Sequence, residues 1–89
     1  MPKWKVNFTI DAEEDLNKLD NQIRTRVVDK ALWLEENFEQ IIPLSLGGKW
    51  QGFFKLRVGD WRIIYEAEDS KKRITIHCID RRDKVYKRR

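Results

Sequence analysis

From Trp4 to Thr9 the chain alternates apolar and polar side chains, W-K-V-N-F-T, a period of two that predicts a first strand. The period then lengthens. Asp11 and Glu14 have the spacing of an N-cap and its third-position partner, which predicts a helix reaching about Leu19 with Ala12, Leu16 and Leu19 as its apolar stripe. Asp20 or Asn21 is placed to cap a second, longer helix ending near Phe38. On it Ile23, Val27, Ala31, Leu34 and Phe38 fall within an arc of about 80° at 100° per residue. Helices joined this closely are expected to form an antiparallel hairpin. "EQIIPLSLGGKWQG", with Pro43 and Gly47-Gly48, reads as a loop. Two β-prone runs follow around Gly59-Asp60, then the polar turn "EDSKK" and a third run, "RITIHCI". The order is β-α-α-β-β-β, an α+β domain over 1–89 with a helical hairpin on a mainly antiparallel sheet. The basic C-terminal tail is expected to form at most a short helix.

The hairpin "FFKLRVGDWRIIYE" sorts its side chains onto two faces. Glycine accepts the positive φ of a two-residue turn, so Gly59-Asp60 pairs Val58 with Trp61, Arg57 with Arg62, Lys55 with Ile64 and Phe53 with Glu66. Alternation gives one face to Phe54, Leu56, Val58, Trp61, Ile63 and Tyr65, expected against the helices. The other holds Phe53, Lys55, Arg57, Arg62, Ile64 and Glu66. A one-residue slip would bury the arginines, so burial fixes the register. Arg57 across from Arg62 is destabilising unless the two find an anion or water. A phosphate suits them, because guanidinium forks match its oxygens and Lys55 adds a compact charge; a solvated face with salt bridges is the alternative.

Composition narrows the setting. Hydrophobic residues make up 40% and charged ones 38% of 89 residues, as in a globular domain with one modest core. No run approaches the roughly 20 apolar residues of a membrane span, and "MPKWKVNFTID" has no long apolar stretch, so a cytoplasmic address away from membranes is expected. One Cys and one His cannot build a zinc cage, and neither metal nor cofactor is expected. Cys78 reads as a buried strand thiol. If Ile76 and Cys78 both face the core, His77 faces the cationic side, more as a half-exposed strand residue than as a catalyst.

Net charge is +4, but residues 1–46 carry −3 and residues 47–89 carry +7. An excess concentrated in one half points to a polyanion such as nucleic acid. In "RRDKVYKRR", Arg82 and Tyr86 are four apart and share a face on a helical turn. An aromatic ring among cations suits single-stranded RNA, with bases stacked on the ring and phosphates held by Arg81, Lys84, Lys87 and Arg88. Tyr86 as an anchor of the tail to the sheet is the alternative. Leu32 and Trp33 lie off the stripe of the second helix, either against the first helix and loop or as an exposed patch for a protein partner.

These residues together resemble the RelE/ParE superfamily of bacterial and archaeal toxins from type II toxin–antitoxin systems. The element order, "FKLRVGDWRIIYE" and the Arg-x-x-Val-Tyr ending from Arg82 to Tyr86 carry the resemblance across nearly the whole chain. It implies a RelE-type toxin: a metal-independent endoribonuclease that cleaves messenger RNA in the ribosomal A site. It also implies a cognate antitoxin that wraps the toxin, the free toxin being a monomer and the complex a hetero-oligomer. Carried over by position, Lys55, Arg57, Arg62, Arg82 and Tyr86 are the catalytic candidates, and the patch at Leu32 and Trp33, read from its place off the stripe, is the candidate antitoxin contact. Ribonuclease members carry a further Lys where Phe53 stands, and many relatives have His before the C-terminal Arg, where this chain has Arg81, which leaves the catalytic arginine open between Arg81 and Arg82.

Metal-free cleavage drives the 2′-hydroxyl onto its own phosphate, which needs a base, an acid and donors for the charge growing on the phosphate. Guanidinium groups stay protonated, so Arg57 and Arg62 are expected as phosphate clamps and Arg82 as a stabiliser near the leaving oxygen. Tyr86 or Lys55 is then the candidate base. On this reading Arg62→Ala leaves the fold intact and cuts cleavage at least about a hundredfold. The alternatives are a ParE-like DNA gyrase poison and a non-catalytic homologue that only binds its antitoxin.

Overall fold

The structure, a computed structural model, describes residues 3–88; Arg89 of the basic tail lies outside them. The elements run β1 (Lys5–Phe8), α1 (Ile10–Asn17), α2 (Asn21–Asn37), β2 (Leu44–Ser45), β3 (Phe54–Val58), β4 (Trp61–Glu68) and β5 (Arg73–Arg81). The sheet order is β1-β5-β4-β3-β2, with β1 parallel to β5 and every other pair antiparallel. The α+β fold is the expected one. It gains a two-residue edge strand, Leu44–Ser45, inside the expected loop, and β1 finds its partner at the far end of the chain.

Local signals account for the helices. Thr9, rather than Asp11, caps α1: its Oγ1 accepts the Ala12 N–H at 3.1 Å, which places Asp11 in the first turn. Asp20 caps α2 by accepting the Ile23 N–H at 3.0 Å. Arg24 on α2 donates to the carbonyls of Leu16, Asn17 and Leu19, satisfying the open C-terminal end of α1. The expected stripe of α2 packs on the sheet, where Val27, Ala31 and Leu34 are buried with Ile63, Tyr65, Ile74 and Ile76. Each isoleucine fully withdrawn from water stabilises the fold by about 1.5–3 kcal/mol. Burial also pushes the Tyr65 hydroxyl up to about 12, so its phenol stays neutral.

A second, smaller core lies on the opposite side of the sheet. Trp50, Phe53, Ile64, Cys78 and Val85 form it, with Leu46 and Tyr86 packed against it. A β-bulge creates the split between the two cores. Ile64 pairs with Cys78 but Tyr65 pairs with Ile76, so His77 is an extra residue on β5. Ile76 therefore enters the helix-side core, while Cys78 enters the other one. The expectation that both share a face fails for this reason.

Candidate functional site

The β3–β4 hairpin has the register expected from its turn: Val58 with Trp61, Arg57 with Arg62, Lys55 with Ile64. Gly59 sits at φ 58°, a conformation L side chains rarely adopt, so the turn favours glycine, and the Arg26 guanidinium packs close to it. Phe54, Leu56, Val58, Trp61, Ile63 and Tyr65 all belong to the helix-side core, as alternation demands. The remaining hairpin face points away from the helices and is divided along its length.

At the turn end lie the cations. Arg57 is exposed and Lys55 half-buried, and among the described residues neither has a carboxylate within ion-pair distance. Arg62 takes another course. It is 7% exposed, and its Nη1 donates to the carbonyls of Gly59 at 2.9 Å and Trp61 at 2.8 Å. The expected choice between an anion and water omitted this third partner, the turn's own carbonyl oxygens. One charged nitrogen shared between two carbonyls contributes about 1.5–3 kcal/mol in all. The geometry thus makes Arg62 a brace of the turn beneath Arg57 rather than a third open cation.

The C-terminal segment comes back to this end. The Arg82 N–H donates to the Asp60 carbonyl at 2.9 Å, which sets Arg82 beside the hairpin turn with its side chain exposed. Arg81 goes elsewhere: it pairs with Trp61, its guanidinium lies 6.0 Å from that ring, and its Nε is 3.8 Å from Asp83. Since cross-strand partners share a face, Arg81 stands on the helix side. Lys84 and Lys87 are exposed and unpaired among the described residues.

Beyond the cations the same face is closed over. The tail makes one 3-10 turn, Val85–Lys87, in place of a helix; Val85 is fully buried and Tyr86 packs against the second core. The Trp50 indole N–H donates to the Tyr86 carbonyl at 3.2 Å. Tyr86 therefore anchors the tail, its ring half-buried against the second core that includes Ile64, the cross-strand partner of Lys55. Arg88, expected to meet phosphate, is instead held by Asp15 of α1, at 2.8 Å and 3.1 Å. Sequence reading missed Asp15, one acid among four in "DAEED", because nothing local separates a buried carboxylate from solvated ones.

His77 does lie on this face, as expected, although through the bulge. Its Nε2 is hydrogen-bonded to Glu66, and its ring meets Phe53 edge-on at 5.0 Å. It lines a shallow pocket of about 200 Å³ with Asp11, Trp50, Phe53, Cys78 and Arg88. Burial pushes the Cys78 thiol up to about 11, which keeps it protonated and unreactive near neutrality. On α2, Leu32 and Trp33 are 51% and 39% exposed, so the pair lies on the surface. The Lys30 ammonium lies 4.0 Å over the Trp33 ring, and Trp33 borders a groove of about 430 Å³ shared with Arg26, Arg57 and Gly59. The apolar patch is thereby continuous with the hairpin's cationic end.

Comparison with known proteins agrees with this geometry. Residues 6–86 match the family described as the ParE toxin of type II toxin–antitoxin systems. The chain is 29% identical over 85 residues to Toxin RelG of Mycobacterium tuberculosis, covering 96% of this chain and 98% of that one. Its backbone is similar to a chain of the RelBE2 toxin–antitoxin complex of M. tuberculosis, with TM-score 0.81, 30% identity, and coverage of 92% and 94%. It is also similar in fold to an arginine double mutant of E. coli RelE in the free state, with TM-score 0.77, 16% identity, and coverage of 96% and 90%.

Proposed function

The chain belongs to the RelE/ParE superfamily of type II toxin–antitoxin toxins, and from that premise we propose that it is a RelE-type endoribonuclease acting on messenger RNA in the ribosomal A site. The observation that carries the reading is the exposed cationic end of the hairpin, where Lys55 and Arg57 have no carboxylate partner among the described residues and Arg82 stands beside the turn. A nucleic-acid backbone supplies the missing counter-charge.

The reaction needs no group beyond these side chains. Either Lys55 as a neutral amine or Tyr86 as a phenolate takes the 2′-hydroxyl proton. The 2′-oxygen then bonds to phosphorus as the bond to the 5′-oxygen breaks, and that oxygen takes a proton from the other of the two and leaves as a hydroxyl. Arg57 holds the phosphate while Arg82, rather than Arg81, faces the leaving oxygen. Arg62 keeps the turn in shape and adds positive potential from below. So sparse a set depends on the ribosome to align the message, and naked RNA is then a poor substrate. The product is a 2′,3′-cyclic phosphate upstream of a 5′-hydroxyl, which mapping of message ends after induction would detect. Rapid cutting of free RNA would contradict the dependence on ribosomes.

A cytoplasmic antitoxin completes the reading. Leu32 and Trp33 offer it apolar anchors beside the cations, so a segment with acidic residues and large apolar side chains fits. Paired Leu32→Ala and Trp33→Ala changes are expected to weaken that complex at least about tenfold while leaving cleavage intact; unchanged affinity would remove the patch from the interface.

A second reading stands on the family match itself, whose description is the ParE toxin. A gyrase poison of this fold would alter plasmid supercoiling without cutting translated messages. Measuring both after induction separates the two.

A further inference from the structure

We infer that Asp15 and Arg88 are positioning residues for the proposed cleavage, their ion pair holding the C-terminal segment so that Tyr86 stays seated on the outer face of the sheet. The inference rests on the reading above and adds to it two residues that lie outside the cationic cluster.

The reason lies at the edge of β5. Strand β1 covers β5 only as far as Ile76, so the backbone beyond it has no strand neighbour on that side. At Ile79 side chains take the strand's place. The Asp15 carboxylate accepts the Ile79 N–H at 2.9 Å, and the Arg88 guanidinium donates to the Ile79 carbonyl at 3.4 Å. Both carboxylate oxygens of Asp15 are engaged by Arg88, which also reaches Asp80 at 3.4 Å. A carboxylate only 9% exposed is costly unless paired, and its partner comes from two residues past Tyr86.

The segment is thereby fixed at three points. The Arg82 N–H binds the Asp60 carbonyl at its start, the Tyr86 carbonyl is held by Trp50 in its middle, and Arg88 binds Asp15 at its end. Val85 fills the second core between them. Release of the last point frees the residues that follow Val85 and lets the Tyr86 ring leave its place against the second core. Arg88 used in this way is not a phosphate contact. The two roles differ in sign: were Arg88 meant for RNA, Asp15 would compete for it, and neutralising Asp15 would tighten ribosome binding.

The test uses the full chain on ribosomes programmed with a defined message, with Asp15→Asn and Arg88→Gln each made alone and together with Tyr86→Phe. Displacement of a reacting group by about 1 Å can cost about a hundredfold, so kcat is expected to fall on that order in each single variant. KM for programmed ribosomes is expected to stay unchanged. Each change should add nothing once Tyr86 is Phe, since both act through the same ring. Amide exchange at 82–88 should quicken while β3 and β4 keep their protection, which verifies that the fold survives. Tighter ribosome binding in Asp15→Asn, losses that multiply with Tyr86→Phe, or unchanged kcat would overturn the inference. A wild-type protein that leaves the message uncut would overturn the functional reading and this inference with it, whereas wild-type cleavage with unaltered variants sinks the positioning role alone.

Discussion

The two ends of the hairpin's outer face are built from the same alternation and reach opposite states. At the turn end, Arg57 and Lys55 stand partly or wholly in water without a carboxylate partner among the described residues, and only Arg62 is withdrawn beneath them. At the other end Phe53 and Ile64 are sealed under Trp50 and Val85. Strand geometry alone would treat the whole face alike. The difference comes from what is laid over it: the loop before β3 and the returning tail cover the apolar end, while the turn is approached by the Arg82 backbone and the Arg26 guanidinium and left open. A small domain with a short, basic tail thus makes one face serve as both core and binding surface.

The largest effect expected is at the sealed end. Ile64→Ala, opening a cavity in the second core, should cost about 4 kcal/mol in denaturant unfolding; a loss near zero would mean that this end is not a core. At the open end the order is reversed. Arg57→Ala should leave the unfolding midpoint nearly unchanged and slow cleavage on ribosomes about a hundredfold, equivalent to about 3 kcal/mol at the transition state.

Cys78 distinguishes the ends by pH. Its thiol, raised to about 11 by burial in the folded chain, ionises more easily when unfolded. The stability associated with the neutral thiol is complete below about pH 9 and is lost as pH rises through 11, approaching about 2.5 kcal/mol. Cys78→Ala should lack that component of the decline, and parallel pH curves for the two proteins would contradict the burial. Arg62 gives the smallest of these expected changes. Arg62→Ala removes both carbonyl bonds of the turn and should cost about 2 kcal/mol, so its loss of cleavage would come with a loosened hairpin. An Arg62 variant as stable as the wild type would restore this residue to the open cluster.

The sequence made the hairpin legible because three local rules agree there: a glycine turn, strict alternation and a register that burial enforces. The stripe of α2 was legible in the same way. What escaped notice depended on non-local partners. The carbonyls that take in Arg62 are created by the turn's own closure, and Asp15 is buried only because β1 stops short and leaves the Ile79 amide open. The bulge at His77 shifts one residue against its neighbours, and no composition signal marks it. Likewise Thr9 outcompeted Asp11 as the cap of α1, since β1 ends one residue before it and sets where the helix can begin. For the site, Lys55, Arg57 and Arg82 were read from charge and spacing, whereas the diversion of Arg81 to Trp61 and of Arg88 to Asp15 required the folded chain.

The central claim is that the open end of the hairpin cuts translated RNA. Primer extension across several messages, after induction of the wild-type chain and of a Lys55→Ala/Arg57→Ala variant, tests it most directly. The account predicts new 5′ ends inside reading frames for the wild type, absent when translation is blocked and absent for the variant. Intact messages in the wild type, or the same ends persisting in the variant, would contradict it.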